Sequence, residues 1–172
     1  MVKVPNYIKY IFSSFFLIAA FNLIFRILFY FYSAELNNAT SQEISNAFWL
    51  GIRFDFKLAS IAIFPLAFFI LILNHNFFKR KIYQKIASIY FVLTFLTLSL
   101  FYIIDFGYYD YLSIRLDAAS LRFLEDLKIS SQVLLESYPV FKGLLGLIVF
   151  VFFIYKLFNF LYKNFQKSLK VI

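Results

Sequence analysis

The stretch Leu58-Ala-Ser-Ile-Ala-Ile-Phe-Pro-Leu-Ala-Phe-Phe-Ile-Leu-Ile-Leu-Asn-His-Asn-Phe-Phe78 contains no Asp, Glu, Lys or Arg. As an α-helix it rises about 30 Å, the thickness of the hydrocarbon core of a bilayer. It shows no alternation of polar and apolar residues and is about twice the length of a barrel strand. In lipid a segment of this kind has to be helical, because a helix satisfies its own N–H and C=O groups. Pro65 inside it predicts a kink.

Three further runs have the same character. One extends from Tyr10 to about Ser33 and is broken only by Arg26; another, Ile86 to Ile104, is free of charge. The last runs from Val140 to Tyr162, with Lys142 and Lys156 near its ends, where long side chains can snorkel to the interface. The second helix begins upstream of Leu58, near Asn46, so the expected spans are about 10–33, 46–78, 86–104 and 140–162. Composition agrees with this. The chain of 172 residues is 63% hydrophobic and 15% charged, whereas soluble domains are about 45–50% apolar and about 25% charged. Both a soluble fold and a disordered chain are excluded.

The formal charge is +8, and the basic residues flank the apolar runs. Lys3 and Lys9 precede the first run, Lys79, Arg80, Lys81 and Lys85 fill the hairpin between the second and third, and Lys163, Lys167 and Lys170 follow the fourth. These flanks hold no Asp or Glu. The connection 33–46 carries Glu35 and Glu43 with no basic residue. The positive-inside rule therefore puts both termini in the cytoplasm. No basic stretch with stacking aromatics lies outside an apolar run, so nucleic acid is not an expected partner. Cysteine is absent, which removes disulfides and thiolate chemistry. The N-terminal run is too long for a signal peptide and lacks a small-residue cleavage pattern.

Residues 105–139 make the one sizeable segment expected outside the bilayer. Leu116, Phe123, Leu124, Leu127, Leu134 and Leu135 recur at roughly helical spacing, predicting an amphipathic helix on the outer face. Pro139 suits the first turn of the last span. The expected fold class is all-α: a polytopic membrane helix bundle of four transmembrane helices plus this outer interfacial helix.

Charges within spans are costly, about 2.5–3.5 kcal/mol at the bilayer centre on insertion scales, and call for a partner or a wet cavity. Arg26 and Asp55 lie about 10 and 13 Å below the same outer surface at helical rise, which suggests that they pair. Arg53 and Asp55 point to nearly opposite sides of a helix, while Arg53 and Lys57 share a face. Those two cations could hold an anionic phospholipid phosphate, or could snorkel to bulk headgroups; both readings stand. Asp105, Asp110 and Arg115 form a second polar group among Tyr108, Tyr109 and Tyr111 where the third run ends. Interfacial ion pairing and an aromatic belt account for it. His75 is the lone histidine and has no second ligand at metal spacing. Asn38-Ala39-Thr40 matches a glycosylation pattern that carries little weight at three residues. No catalytic, cofactor or metal residue is evident.

The order of segments resembles the membrane domain of the lipoteichoic acid synthase family. The similarity rests on Gly51-Ile-Arg53-Phe-Asp55 opening the second span, on Asp105-Phe-Gly-Tyr-Tyr-Asp-Tyr leaving the third, and on Arg115-Leu-Asp117 through Leu135-Glu-Ser-Tyr-Pro139 entering the fourth. It covers roughly 48–150. Members of that family join membrane helices to an extracellular sulfatase-like domain. There, through a threonine intermediate and a divalent metal such as manganese, they transfer phosphoglycerol from a membrane lipid. The resemblance implies that this chain is the front, membrane-anchoring part of such a protein in a bacterial inner membrane. The catalytic domain and a further span would be missing, so no catalytic residue carries over and the chain alone would not be an enzyme. The phosphoethanolamine-transferase architecture is a close variant. From another class, a stand-alone four-helix accessory protein would share the same composition. A transporter ranks below both, since inverted repeats and a polar midplane site are missing.

Overall fold

The computed structural model describes residues 4–33, 40–116 and 140–167. Within them the chain is helical: α1 Asn6–Ser33, α2 Ser41–Leu73, a short 3-10 turn Asn74–Phe78, α3 Lys81–Leu112 and α4 Val140–Lys167. Among the described residues, four helices are long and apolar enough to cross a membrane. Their large apolar side chains point outward, as with Phe31 (69% exposed), Phe64 (68%) and Val149 (69%), while Ser14, Asn22, Asp55 and Ser88 are buried. This distribution inverts that of a soluble protein and belongs in lipid.

Several helix ends lie outside the apolar windows that announce them, but α2 stops at Leu73, short of the expected Phe78, and the last five residues of that window form the 3-10 turn. α2 begins at Ser41, about a turn before the expected start near Asn46, and α3 covers 81–112 rather than 86–104. Residues 105–112, expected to open the interfacial segment, are therefore the last turns of α3. Hydropathy locates the part in hydrocarbon, whereas a helix ends where its backbone finds other partners. The interfacial helix expected over 116–135, like most of the stretch up to residue 139, lies outside the described residues.

Helix ends show those partners. At the start of α2 the Thr40 hydroxyl accepts from the Glu43 backbone N–H at 3.4 Å, and the Glu43 carboxylate accepts from the Thr40 N–H at 2.8 Å. This is a reciprocal capping box. Thr40→Ala should lower stability by about 1 kcal/mol, read as a shifted unfolding midpoint, with Thr40→Ser close to wild type. Within α2, Pro65 removes one helical hydrogen bond; in the preceding turn the Tyr90 hydroxyl donates to the Ala62 carbonyl at 2.5 Å. The helix continues through the proline because neighbouring helices can satisfy such disturbed turns.

The chain forms two compact units, residues 1–91 with 157–172, and residues 92–156. In the first, fully buried Tyr10 of α1 is ringed by Phe77, Phe78, Phe91, Tyr162 and Phe165 at centroid distances of 5.6–6.3 Å. Phe91 stacks on Phe158 at 3.6 Å. Polar ties surround this aromatic core: the Tyr162 hydroxyl donates to the Phe77 carbonyl at 2.6 Å and Gln166 to the Phe78 carbonyl at 2.7 Å. Asn159 accepts from Gln84 at 2.8 Å and from Ser88 at 3.2 Å. Both carbonyls at Phe77 and Phe78 belong to a 3-10 turn, whose hydrogen bonding leaves acceptors open.

In the second unit, α3 ends at Leu112 and Ser113 takes a left-handed conformation (φ 54°) with its N–H on the Tyr109 carbonyl at 2.8 Å. That residue turns the chain back along the helix. Arg115 then reaches Asp105 at 2.6 Å, and the Leu116 N–H donates to the same carboxylate at 2.9 Å. Asp105 thus closes the helix end on which it sits.

Candidate functional site

The buried residues of α1 include a row, Tyr10, Ser14, Ile18 and Asn22, each four apart; those of α2 include Gly51, Asp55, Ala59 and Ile63 at the same spacing. Side chains four apart lie on one helix face. Continuing the α1 row by one step gives Arg26, and the two rows meet there. Small residues in these rows let helix backbones approach closely in a membrane.

Arg26 Nε donates to Asp55 Oδ2 at 2.7 Å and Arg26 Nη2 to Asp55 Oδ1 at 2.8 Å. The same Nη2 donates to the Gly51 carbonyl at 3.0 Å. This is a two-point guanidinium–carboxylate pair, the geometry that arginine's planar fork provides and lysine's point charge does not. The Asp55 side chain is 8% exposed and that of Arg26 22%, so the pair is mostly out of contact with solvent. Asn22, fully buried one turn from Arg26, reaches the Asp55 backbone carbonyl at 3.5 Å, a long contact.

Gly51 makes this seat possible. A methyl group on its Cα would collide with the Arg26 guanidinium. The guanidinium, at the end of a flexible side chain, would have to shift from its seat against Asp55 and the Gly51 carbonyl. Gly51→Ala should therefore cost about 1–3 kcal/mol, although alanine has the higher helix propensity. Thermal unfolding of the purified variant checks this, and a stability gain would contradict it.

The remaining candidates divide into three groups. Arg53 and Lys57 are exposed on the side of α2 away from the pair, and the Arg53 guanidinium lies over the Trp49 ring at 5.1 Å. Asp105 and Arg115 form the ion pair described above in the second unit. Asp110 is exposed near the end of α3, and His75 falls in the 3-10 turn. Among the described residues no three or more His, Cys, Asp or Glu side chains converge as a metal site would require.

Sequence depth brings Arg26 and Asp55 together, but not the participation of Asn22 and Gly51. Their signal is the spacing: Asn22 stands four before Arg26 and Gly51 four before Asp55, each placed on its partner's face. Chemically the site offers a fixed ion pair that joins two helices, while the two exposed cations of α2 face away from it.

No protein-family model, curated protein or solved structure matches this chain. Fold and site define it as a multi-span helical membrane protein, with a charged pair locking its first two helices.

Proposed function

We propose that this chain is the membrane-anchoring part of a sulfatase-like transferase similar to the lipoteichoic acid synthases. It would act on phosphoglycerol or a related phospho-alcohol carried by membrane lipid. The chain supplies the anchor; a divalent metal such as manganese and the reacting threonine belong to the catalytic domain that would follow it. One observation carries the reading. Gly51 to Asp55, part of the stretch on which the resemblance rests, is also the stretch that fastens α2 to α1 through Arg26. A rigid end on these helices suits a segment that must hold a catalytic domain at a fixed height over the lipid headgroups.

The orientation in this proposal follows the positive-inside rule in the bacterial inner membrane. In it Lys9, the Lys79–Lys85 hairpin and Lys163 face the cytoplasm, and the Ser41 end of α2 faces outward. The reading frame beyond Ile172 tests the proposal. It should continue into a further apolar helix and a sulfatase-like domain, and membranes carrying that longer protein should release diacylglycerol from labelled phosphatidylglycerol when manganese is supplied. A native stop codon at this point, with the chain active on its own in another role, would replace the proposal with a stand-alone accessory protein.

A further inference from the structure

Lys156 stands near the centre of the apolar span of α4, Leu145–Gln166, with about 15 Å of helix between it and either end. The sequence pattern lets it snorkel toward the Tyr162 end, but the side chain runs the other way. Its ammonium lies over the ring of Phe152, one turn nearer Val140, at 5.2 Å. Side chains on a helix lean toward its N-terminus. The stem therefore carries the charge away from Lys163 and leaves it well inside the span.

The lysine is exposed and makes no ion pair among the described residues. By contrast, Arg26 and Asp55 neutralise each other. A cation in hydrocarbon is costly and persists where it meets a partner; the face of one phenyl ring offsets only part of that cost. The helix face leading to Lys156 is apolar and exposed. Leu145, Val149 and Phe152 recur in alternating steps of four and three residues that end on Lys156, the spacing of a helix–helix seam. Gly146 lies beside them, and a Cβ built on it meets nothing within 4 Å, so another backbone can approach closely there.

Depth and charge select the occupant of this face. Lipid phosphates sit at headgroup level, beyond a lysine stem directed into the span. A second copy presents the same cation, and the carboxylates of Asp55 and Asp105 are already held by Arg26 and Arg115. A membrane helix with its own carboxylate at that depth neutralises the ammonium and covers the apolar stripe. We infer that this face of α4 docks a helix of a partner membrane protein, with an Asp or Glu of that helix against Lys156 and apolar side chains along Leu145, Val149 and Phe152. The inference rests on the membrane placement of the chain and not on the transferase reading.

A synthetic Leu/Ala helix of about 20 residues with one Asp at its centre, beside a control with Leu in that place, tests it. The chain contains no cysteine, so Lys9→Cys accepts a donor fluorophore, and energy transfer to an acceptor on the peptide reads association in phosphatidylcholine vesicles. The Asp peptide should bind the otherwise wild-type chain about tenfold more tightly than the Leu control. K156L should bring the two peptides level, while K156R, which keeps the charge, should retain the preference and so separate loss of charge from loss of fold. Gly146→Leu, which meets open space within the chain, should weaken both peptides by holding the helices apart. Equal binding of the two peptides would overturn the inference. So would a preference that survives K156L, or binding unchanged in Gly146→Leu. Energy transfer between two labelled copies of the chain, lost in K156L, would give the face to a second copy and overturn it as well. Because the readout is peptide association, a missing downstream catalytic domain leaves this result standing, and a failed association leaves the transferase proposal standing.

Discussion

Replacing Asp55 with alanine is expected to destabilise the folded chain by about 3 kcal/mol, measured by reversible unfolding of the purified protein in mixed detergent. The variant leaves the Arg26 guanidinium between two helices without its carboxylate, still donating to the Gly51 carbonyl. A charge stripped of its partner in a low-dielectric setting loses Coulomb attraction and keeps its desolvation cost. Arg26 is 22% exposed, so it can turn partly toward the headgroups, which keeps the loss at the lower end of the buried-pair range. Substituting both residues by leucine should remain within about 1 kcal/mol of wild type, because the two desolvation costs vanish with the attraction. The exchanged pair R26D/D55R should recover part of what either single change loses. A double variant no better than D55A would show that the pair does not act as a unit.

Phe158→Ala is expected to cost about 2–3 kcal/mol by the same measurement. Phe158 is fully buried, with its ring parallel to that of Phe91 at 3.6 Å. In a soluble core the deletion would cost about 3–5 kcal/mol, part of it lost transfer out of water. Here the unfolded reference is still in hydrocarbon, so that transfer part shrinks and the lost dispersion contacts and the cavity remain. Phe158→Leu should restore more than half of the loss by refilling the space. Phe152, 61% exposed in the same helix, provides the contrast: Phe152→Ala should stay within about 0.5 kcal/mol. Similar losses at both positions would mean that the aromatic core around Tyr10 does not set stability.

Helix number was legible because each span is a long charge-free or nearly charge-free run. Hydrocarbon thickness converts such a run directly into a crossing. Helix ends were harder. The Thr40-Ser-Gln-Glu43 box is a sequence-level start signal, yet an apolar window registers only what lies beyond it. Arg26 and Asp55 could be matched because intramembrane charges are rare enough for depth alone to pair them. Gly51 could not be given its role, since its necessity follows from where the guanidinium lies and not from its place in a motif. The core around Tyr10 was hidden for a different reason. With 27 Phe and 13 Tyr in the chain, aromatic residues lie on every face, and periodicity does not separate the buried ring from the lipid-facing one. The reach of Arg115 back to Asp105 depends on the left-handed Ser113, which carries no strong sequence preference for that conformation.

Membrane placement with an even number of crossings underlies the proposed anchor. The chain contains no cysteine, so single substitutions report position without background. Cysteine at Lys9, Gln42, Lys81 and Lys163, probed in intact cells with a membrane-impermeant maleimide, reads the topology directly. The account predicts labelling at position 42 in intact cells, and at positions 9, 81 and 163 only after permeabilisation. Labelling of position 163 from outside, or of position 81 together with position 42, would contradict it.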